Sequence, residues 1–267
     1  DKIMWYENDG SQNFTPHLIV DNFGSAWDIF VIDLDLDNDM DVVATASNAQ
    51  AVNWYENDGA QNFAVHSIDV LDGAQGLYVL DMDQDNDIDI VACGIFADMV
   101  LWYENDSSQN FVEHVVDASF DGSNDVFVGD MDCDGDHDIV ASGSQDNLVK
   151  WYENDGSQNF TAHVVASLPG ARAVFVTYIN NDTLPAIVAV GLQDAVMWYE
   201  NTGGGNFTSH VIDNFLDLAF GVYAADLDED GDIDVLATGG SADDLVWYEN
   251  DLVGVFESDM EEPSTGR

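Results

Sequence analysis

Four stretches of the chain carry an aspartate at every second residue. They are Asp33, Asp35, Asp37, Asp39 and Asp41; Asp81, Asp83, Asp85, Asp87 and Asp89; Asp130, Asp132, Asp134, Asp136 and Asp138; and Asp226, Asp228, Asp230, Asp232 and Asp234. Five carboxylates in nine residues repel one another, and neither a solvent-facing strand nor a helix holds them without cost. A hard cation removes the conflict. Calcium takes six to eight oxygens in irregular geometry, and its loops favour the order Asp-x-Asp-x-Asp-Gly. That order stands here as Asp130, Asp132, Asp134, Gly135 and as Asp226, Asp228, Asp230, Gly231. Positions 1, 3, 5 and 9 would give carboxylates, and position 7 a backbone carbonyl. Each run is therefore a candidate calcium set, and four ions are expected, one per run. The competing reading is a solvated acidic turn. Against it, each run leads into an apolar strand: Val42-Val43-Ala44, Ile90-Val91-Ala92, Ile139-Val140-Ala141 and Val235-Leu236-Ala237.

The elements that must position these loops follow from a second repeat. Trp-Tyr-Glu-Asn begins at Trp5, Trp54, Trp102, Trp151, Trp198 and Trp247, a period near 48 residues. One unit reads as an apolar strand (Ile29-Phe30-Val31-Ile32), the aspartate loop, a second strand from Asp41, and a polar turn. A third strand follows (Val52 to Glu56), then an Asn-Asp-Gly turn of hairpin type, and a fourth strand (Phe63 to Ile68). No segment shows helical periodicity. Four short antiparallel strands repeated at this length predict an all-β fold, a β-propeller of four-stranded blades. A β-solenoid is the alternative, though its repeats are usually shorter. The blades are expected near 25–70, 74–118, 123–166, 171–213 and 219–258, in one domain spanning 1–258, with a polar tail over 259–267. Residues 1–20 supply only the third and fourth strands of a blade. The expectation is thus five blades and an N-terminal half blade, which a six-bladed ring would absorb.

The Asp-x-Asp-x-Asp-Gly-Asp-x-Asp loops resemble the FG-GAP/VCBS repeat family, calcium-binding propeller blades found in integrin heads and many bacterial surface proteins. The Trp-Tyr-Glu-Asn and Phe-x-x-His blocks are similar to those of a secreted bacterial subgroup. The resemblance implies the fold and the metal, and says little about function. One repeat departs from it: Tyr178, Asn180, Asp182, Leu184 and Ala186 occupy the five ligand positions, with Pro185 stiffening the loop, so no calcium is expected there.

Composition narrows the partners. Against 53 acidic residues stand 4 basic ones, a formal charge of −49. Phosphate binding needs Lys and Arg, so nucleic acid is disfavoured as a partner, and anionic membranes likewise. No signal peptide and no apolar run of membrane length is present, and Asp1 is expected to begin a mature, processed form. Weak calcium loops fill outside the cell, which places the chain extracellularly or at a cell surface. Cys93 and Cys133 give no disulfide framework, and a bridge between them stays open. His17, His66, His114, His163 and His210 each lie three residues after a phenylalanine, a recurrence that predicts a structural role. The repeated tryptophans read as packing residues, and Trp27, outside the pattern, as the better candidate for an exposed ligand contact. Asn13, Asn105, Asn159, Asn181 and Asn206 begin Asn-x-Ser/Thr sequons and are candidate glycan sites. No catalytic set stands out. The expected function is a non-enzymatic, extracellular, calcium-stabilised structural or adhesion module. It would self-associate, or take up a neighbouring protein, through the open half blade, as a subunit of a filament or surface array. The alternatives are a carbohydrate-binding lectin and a non-catalytic domain of a secreted hydrolase.

Overall fold

The computed structural model describes residues 1–180, 183–240 and 244–251, and the backbone of 256–258. Of the expectations above, Asn181, Asp182, Val255 and the tail 259–267 fall outside these residues. The described residues form strands, turns and bends, with no helix, and hence none long and apolar enough to cross a membrane. The fold is all-β, built of antiparallel β-propeller blades.

The first sheet has two strands, β1 (Lys2–Asn8) and β2 (Phe14–Asp21). Four strands in chain order make each later sheet. The second sheet comprises β3 (Ala26–Ile32), β4 (Asp41–Ala46), β5 (Ala51–Asn57) and β6 (Phe63–Asp69), and the third β7 (Ala74–Leu80), β8 (Asp89–Gly94), β9 (Met99–Asn105) and β10 (Phe111–Asp117). The fourth contains β11 (Ser123–Gly129), β12 (Asp138–Gly143), β13 (Leu148–Asn154) and β14 (Phe160–Ser167). The fifth contains β15 (Ala171–Thr177), β16 (Ala186–Gly191), β17 (Ala195–Gly203) and β18 (Asn206–Asp213). The last holds β19 (Ala219–Ala225), β20 (Asp234–Gly239), β21 (Leu245–Asn250) and the short β22 (Phe256–Ser258).

Packing divides the chain into two compact units, Asp1–Val126 and Phe127–Arg267. In the first, Ile3 and Phe23 join Val42, Ala44 and Tyr55 in one cluster, and Val43, Trp54, Leu77, Ile90 and Tyr103 form another between the second and third sheets. The second unit repeats the scheme. Val140, Trp151, Val174 and Ile187 pack the fourth sheet on the fifth, and Val188, Trp198, Val235 and Tyr248 pack the fifth on the last. Strands β4, β8, β12 and β16 are buried along their whole length. A strand covered on both faces must be apolar at consecutive positions, not alternate ones, which is why these segments read Val-Val-Ala or Ile-Val-Ala.

The turn after each Trp-Tyr-Glu-Asn strand has a local cause. Asp58 Oδ1 accepts the N–H groups of Ala60 at 2.9 Å and Asn62 at 3.1 Å, and Asp9, Asp106 and Asp155 repeat the pattern. Such aspartate-centred turns reverse the chain without strand-ladder bonds. Register then sets Trp54 opposite His66 and Asn57 opposite Phe63.

Candidate metal centres

Each aspartate loop joins the first strand of a blade to the second. Its shape rests on two left-handed residues at positions 4 and 6: Leu36 and Asn38 at φ 61° and 78°, Gln84 and Asn86 at 63° and 77°, Cys133 and Gly135 at 63° and 101°, Glu229 and Gly231 at 63° and 101°. Glycine and asparagine tolerate that region best, which accounts for position 6. The two reversals curl the loop so that backbone N–H groups point inward. Position 1 is the hub: the N–H of position 6 donates to Asp33, Asp81, Asp130 and Asp226 at 2.9 to 3.2 Å.

Three carboxylates converge in each loop, with one oxygen from each within 4.8 Å of the others. They are Asp33, Asp35 and Asp37; Asp81, Asp83 and Asp85; Asp130, Asp132 and Asp138; and Asp226, Asp228 and Asp230. The remaining positions do other work, and in the third loop Asp138 takes the place of Asp134 in the set while also stapling the loop. At position 9, Asp41, Asp89, Asp138 and Asp234 are fully buried. Asp89 Oδ2 accepts the N–H of Met82 at 3.1 Å and its Oδ1 that of Asn105 at 2.8 Å, and the other three make the same two bonds. This residue therefore staples the loop's start to the end of the third strand. At position 7, Asp87 accepts the Ser107 hydroxyl, while Asp39 and Asp136 lie against Gly59 and Gly156 of the following turn, where a side chain would collide with the carboxylate. Neither Asp39, Asp87 nor Asp136 enters a convergent set, nor does Asp232, which is buried.

The residues fit a hard divalent cation. The donors are all oxygens, and Asp33 Oδ1 is buried without a hydrogen-bond partner in the protein. Burial, then the neighbouring carboxylates Asp85, Glu104 and Asp81, push the Asp83 carboxyl above its usual range. Asp35 and Asp132 are raised likewise, burial first. Burial also pushes Asp89 and Asp138 up to about 7. Carboxyls held this far from their ordinary ionisation are short of positive charge, which a bound ion would supply.

Three of the four Asp-run loops, at 33–41, 81–89 and 226–234, lie in stretches that match a known family over residues 33–92 and 178–237, that of the FG-GAP-like repeat. Two stretches of this chain are similar to FG-GAP-like repeats. No curated protein matches the chain. Among solved structures, a lectin of Agrocybe aegerita described as recognising non-reducing terminal N-acetylglucosamine is 21% identical, covers 96% of this chain and 73% of its own, and gives a TM-score of 0.65. A Lactobacillus plantarum protein is 15% identical over 96% of this chain and 76% of its own, also at 0.65. The V. cholerae biofilm matrix protein is 16% identical, covering 87% of this chain and 38% of its own, at 0.53. At these identities the likeness is one of fold.

The second FG-GAP match includes the loop that keeps a single acid, Asp182. There Asn180 Nδ2 donates to Glu200 Oε1 at 3.3 Å, and Ala186, buried, replaces the stapling aspartate of position 9. Outside the FG-GAP loops the repeat histidines share one environment. His17, His66, His114, His163 and His210 each stack on the tryptophan across the strand pair, with ring centroids 4.2 to 4.8 Å apart. Each also places Nε2 2.6 to 3.1 Å from the glutamate of the adjacent Trp-Tyr-Glu-Asn block. A carboxylate only accepts, so Nε2–H is the donor. Sequence reading passed over these glutamates; the signal was their pairing with a histidine in five of the six blocks, all but that of Glu249. Trp54, Trp102, Trp151 and Trp198 are buried between sheets, whereas Trp27 is 41% exposed.

One expectation is corrected. Asn105 is 2% exposed, and its Nδ2 donates to Ile88 O at 3.2 Å, so its side-chain nitrogen has no room for a glycan. Asn13 and Asn159 are exposed in the connections before the fourth strands, and Asn206 is exposed at the start of β18. Cys93 and Cys133 are both free thiols, the first buried in β8 and the second exposed in its loop. Burial pushes the Cys93 thiol up, so it behaves as a small core residue.

Proposed function

We propose that this chain is a non-enzymatic, calcium-stabilised β-propeller module acting outside the cell in a structural or adhesive role. The observation that carries the reading is the set of four convergent carboxylate triads at one equivalent place in four blades. Calcium suits oxygen-only loops, and extracellular calcium suffices to fill modest sites. A loop that commits its carboxylates to an ion and to its own backbone leaves little for substrate. The repeat histidines, the usual acid–base candidates, are each held between a tryptophan and a glutamate. Metal analysis and calorimetry should give four ions per chain, one for each triad; none or one would end the reading.

Self-association through β1 belongs to the same proposal. In complete blades the third strand pairs with the second, and its tyrosine is buried: Tyr55, Tyr103, Tyr152, Tyr199 and Tyr248 are 0 to 2% exposed. Tyr6, at the same place on β1, is 59% exposed. An open groove of about 190 Å³, lined by Ile3, Met4, Trp27 and Ile29, lies between β1 and β3. A strand with one unpaired edge recruits another strand. In calcium the chain is expected to scatter light as an oligomer, and Tyr6→Lys to return it to a monomer. A monomeric parent chain at high concentration would refute assembly.

A lectin reading is favoured by one feature, the exposed Trp27 ring at that groove, on a fold shared with an N-acetylglucosamine-recognising lectin. Glycan-array binding abolished by Trp27→Ala would establish it over the structural reading.

A further inference from the structure

We propose that the glutamates of the Trp-Tyr-Glu-Asn blocks complete the calcium sites: Glu56, Glu104 and Glu153 each turn one oxygen to a histidine and lend the other to the ion held by the aspartate loop of the same blade. The inference rests on the calcium reading above. It starts from the clamp that holds each glutamate, present also at Glu7 and Glu200. Glu104 Oε2 lies 2.6 Å from His114 Nε2, and the His114 ring is fixed by its stack on Trp102 at 4.5 Å. Both partners of this ion pair are more than a third exposed. A pair in that setting adds little stability, yet the same clamp recurs at Glu56 and Glu153. What the clamp does secure is the direction of the second oxygen.

Where that oxygen goes is visible in the blade without an acidic loop. Glu200 keeps its histidine, with Oε2 3.0 Å from His210 Nε2. Its Oε1 accepts a hydrogen bond from Asn180, the residue at the third loop position. In the other blades the third position is Asp35, Asp83 or Asp132, a carboxylate where this blade has an amide. An amide N–H bridges the gap in one blade. In the others a cation between the two anions serves the same end, and calcium, which takes six to eight oxygens, has coordination to spare beyond three loop carboxylates. The histidine then acts as a positioning residue for a ligand, as outer partners of metal ligands generally do.

Calcium titration calorimetry on the full chain, on E104Q and on E200Q tests this. Both substitutions alter the same histidine clamp, so a purely structural role predicts equal behaviour in calcium. We expect E104Q to weaken one site by about ten- to a hundredfold, leave the other sites as in the parent, and E200Q to reproduce the parent isotherm. An E104Q isotherm superimposable on the parent's, or equal weakening by E200Q, overturns the inference while leaving the calcium reading intact. Failure of the parent chain to take up calcium removes both.

Discussion

Moved into chelator, the chain is expected to lose its cooperative fold. A ligand that binds only the native state stabilises it by about 2.7 kcal/mol per site at a hundredfold excess over Kd. Four such sites together approach the roughly 5–15 kcal/mol that holds a typical domain folded. Removing the ions also restores the repulsion within every triad, on a chain already at −49. The apparent Tm should fall by more than about 20 °C, since about 1 kcal/mol corresponds to 2–4 °C at this size. Added monovalent salt should recover part of the loss by screening, and calcium all of it. A thermal unfolding curve unchanged by chelator would show that the triads are solvated turns.

Replacing one buried stapling residue should cost nearly as much as emptying a site, and calcium should not repair it. In Asp89→Ala the N–H groups of Met82 and Asn105 lose their acceptor in a place that is fully buried. Each orphaned buried donor costs about 1–3 kcal/mol, so a loss of about 2–5 kcal/mol is expected even at saturating calcium. Asp87→Ala is the contrast, because Asp87 accepts only the exposed Ser107 hydroxyl among its side-chain bonds to protein; about 1 kcal/mol or less should be lost. Urea unfolding of both variants in excess calcium checks the ranking. Equal losses at positions 7 and 9 would mean that the stapling bonds carry no special weight.

That contrast marks where reading the chain stops short. Blade limits were legible because each strand carries its own signature: apolar runs at Val42-Val43-Ala44, the Trp-Tyr-Glu-Asn block, and the turn aspartate after it. The sequence sets position 7 apart as a carbonyl donor and leaves positions 1, 3, 5 and 9 equivalent. Left-handed turns at Leu36 and Asn38 break that equivalence, sending positions 1, 3 and 5 together, position 7 toward the next turn, and position 9 into the backbone. Asn105 is a similar case. Its sequon is local, but its burial depends on Asp89, sixteen residues earlier. The glutamate–histidine clamp links residues ten apart across a strand pair, visible only once register is known.

The wholly buried strands have a consequence for the chain before it folds. Asp41–Ala46, Asp89–Gly94, Asp138–Gly143 and Ala186–Gly191 are short, β-prone and rich in Val and Ile, the type of segment that zips into intermolecular stacks when exposed. Three of them emerge during synthesis directly behind a dense anionic run, which acts as a gatekeeper against such stacking. The fourth follows the loop left with one acid, Asp182, and there Pro185 stands immediately before the strand, a residue that cannot donate to a hydrogen-bonded ladder. Thus one set of aspartates keeps nascent chains apart, and the single repeat that gave them up retains a breaker in their place.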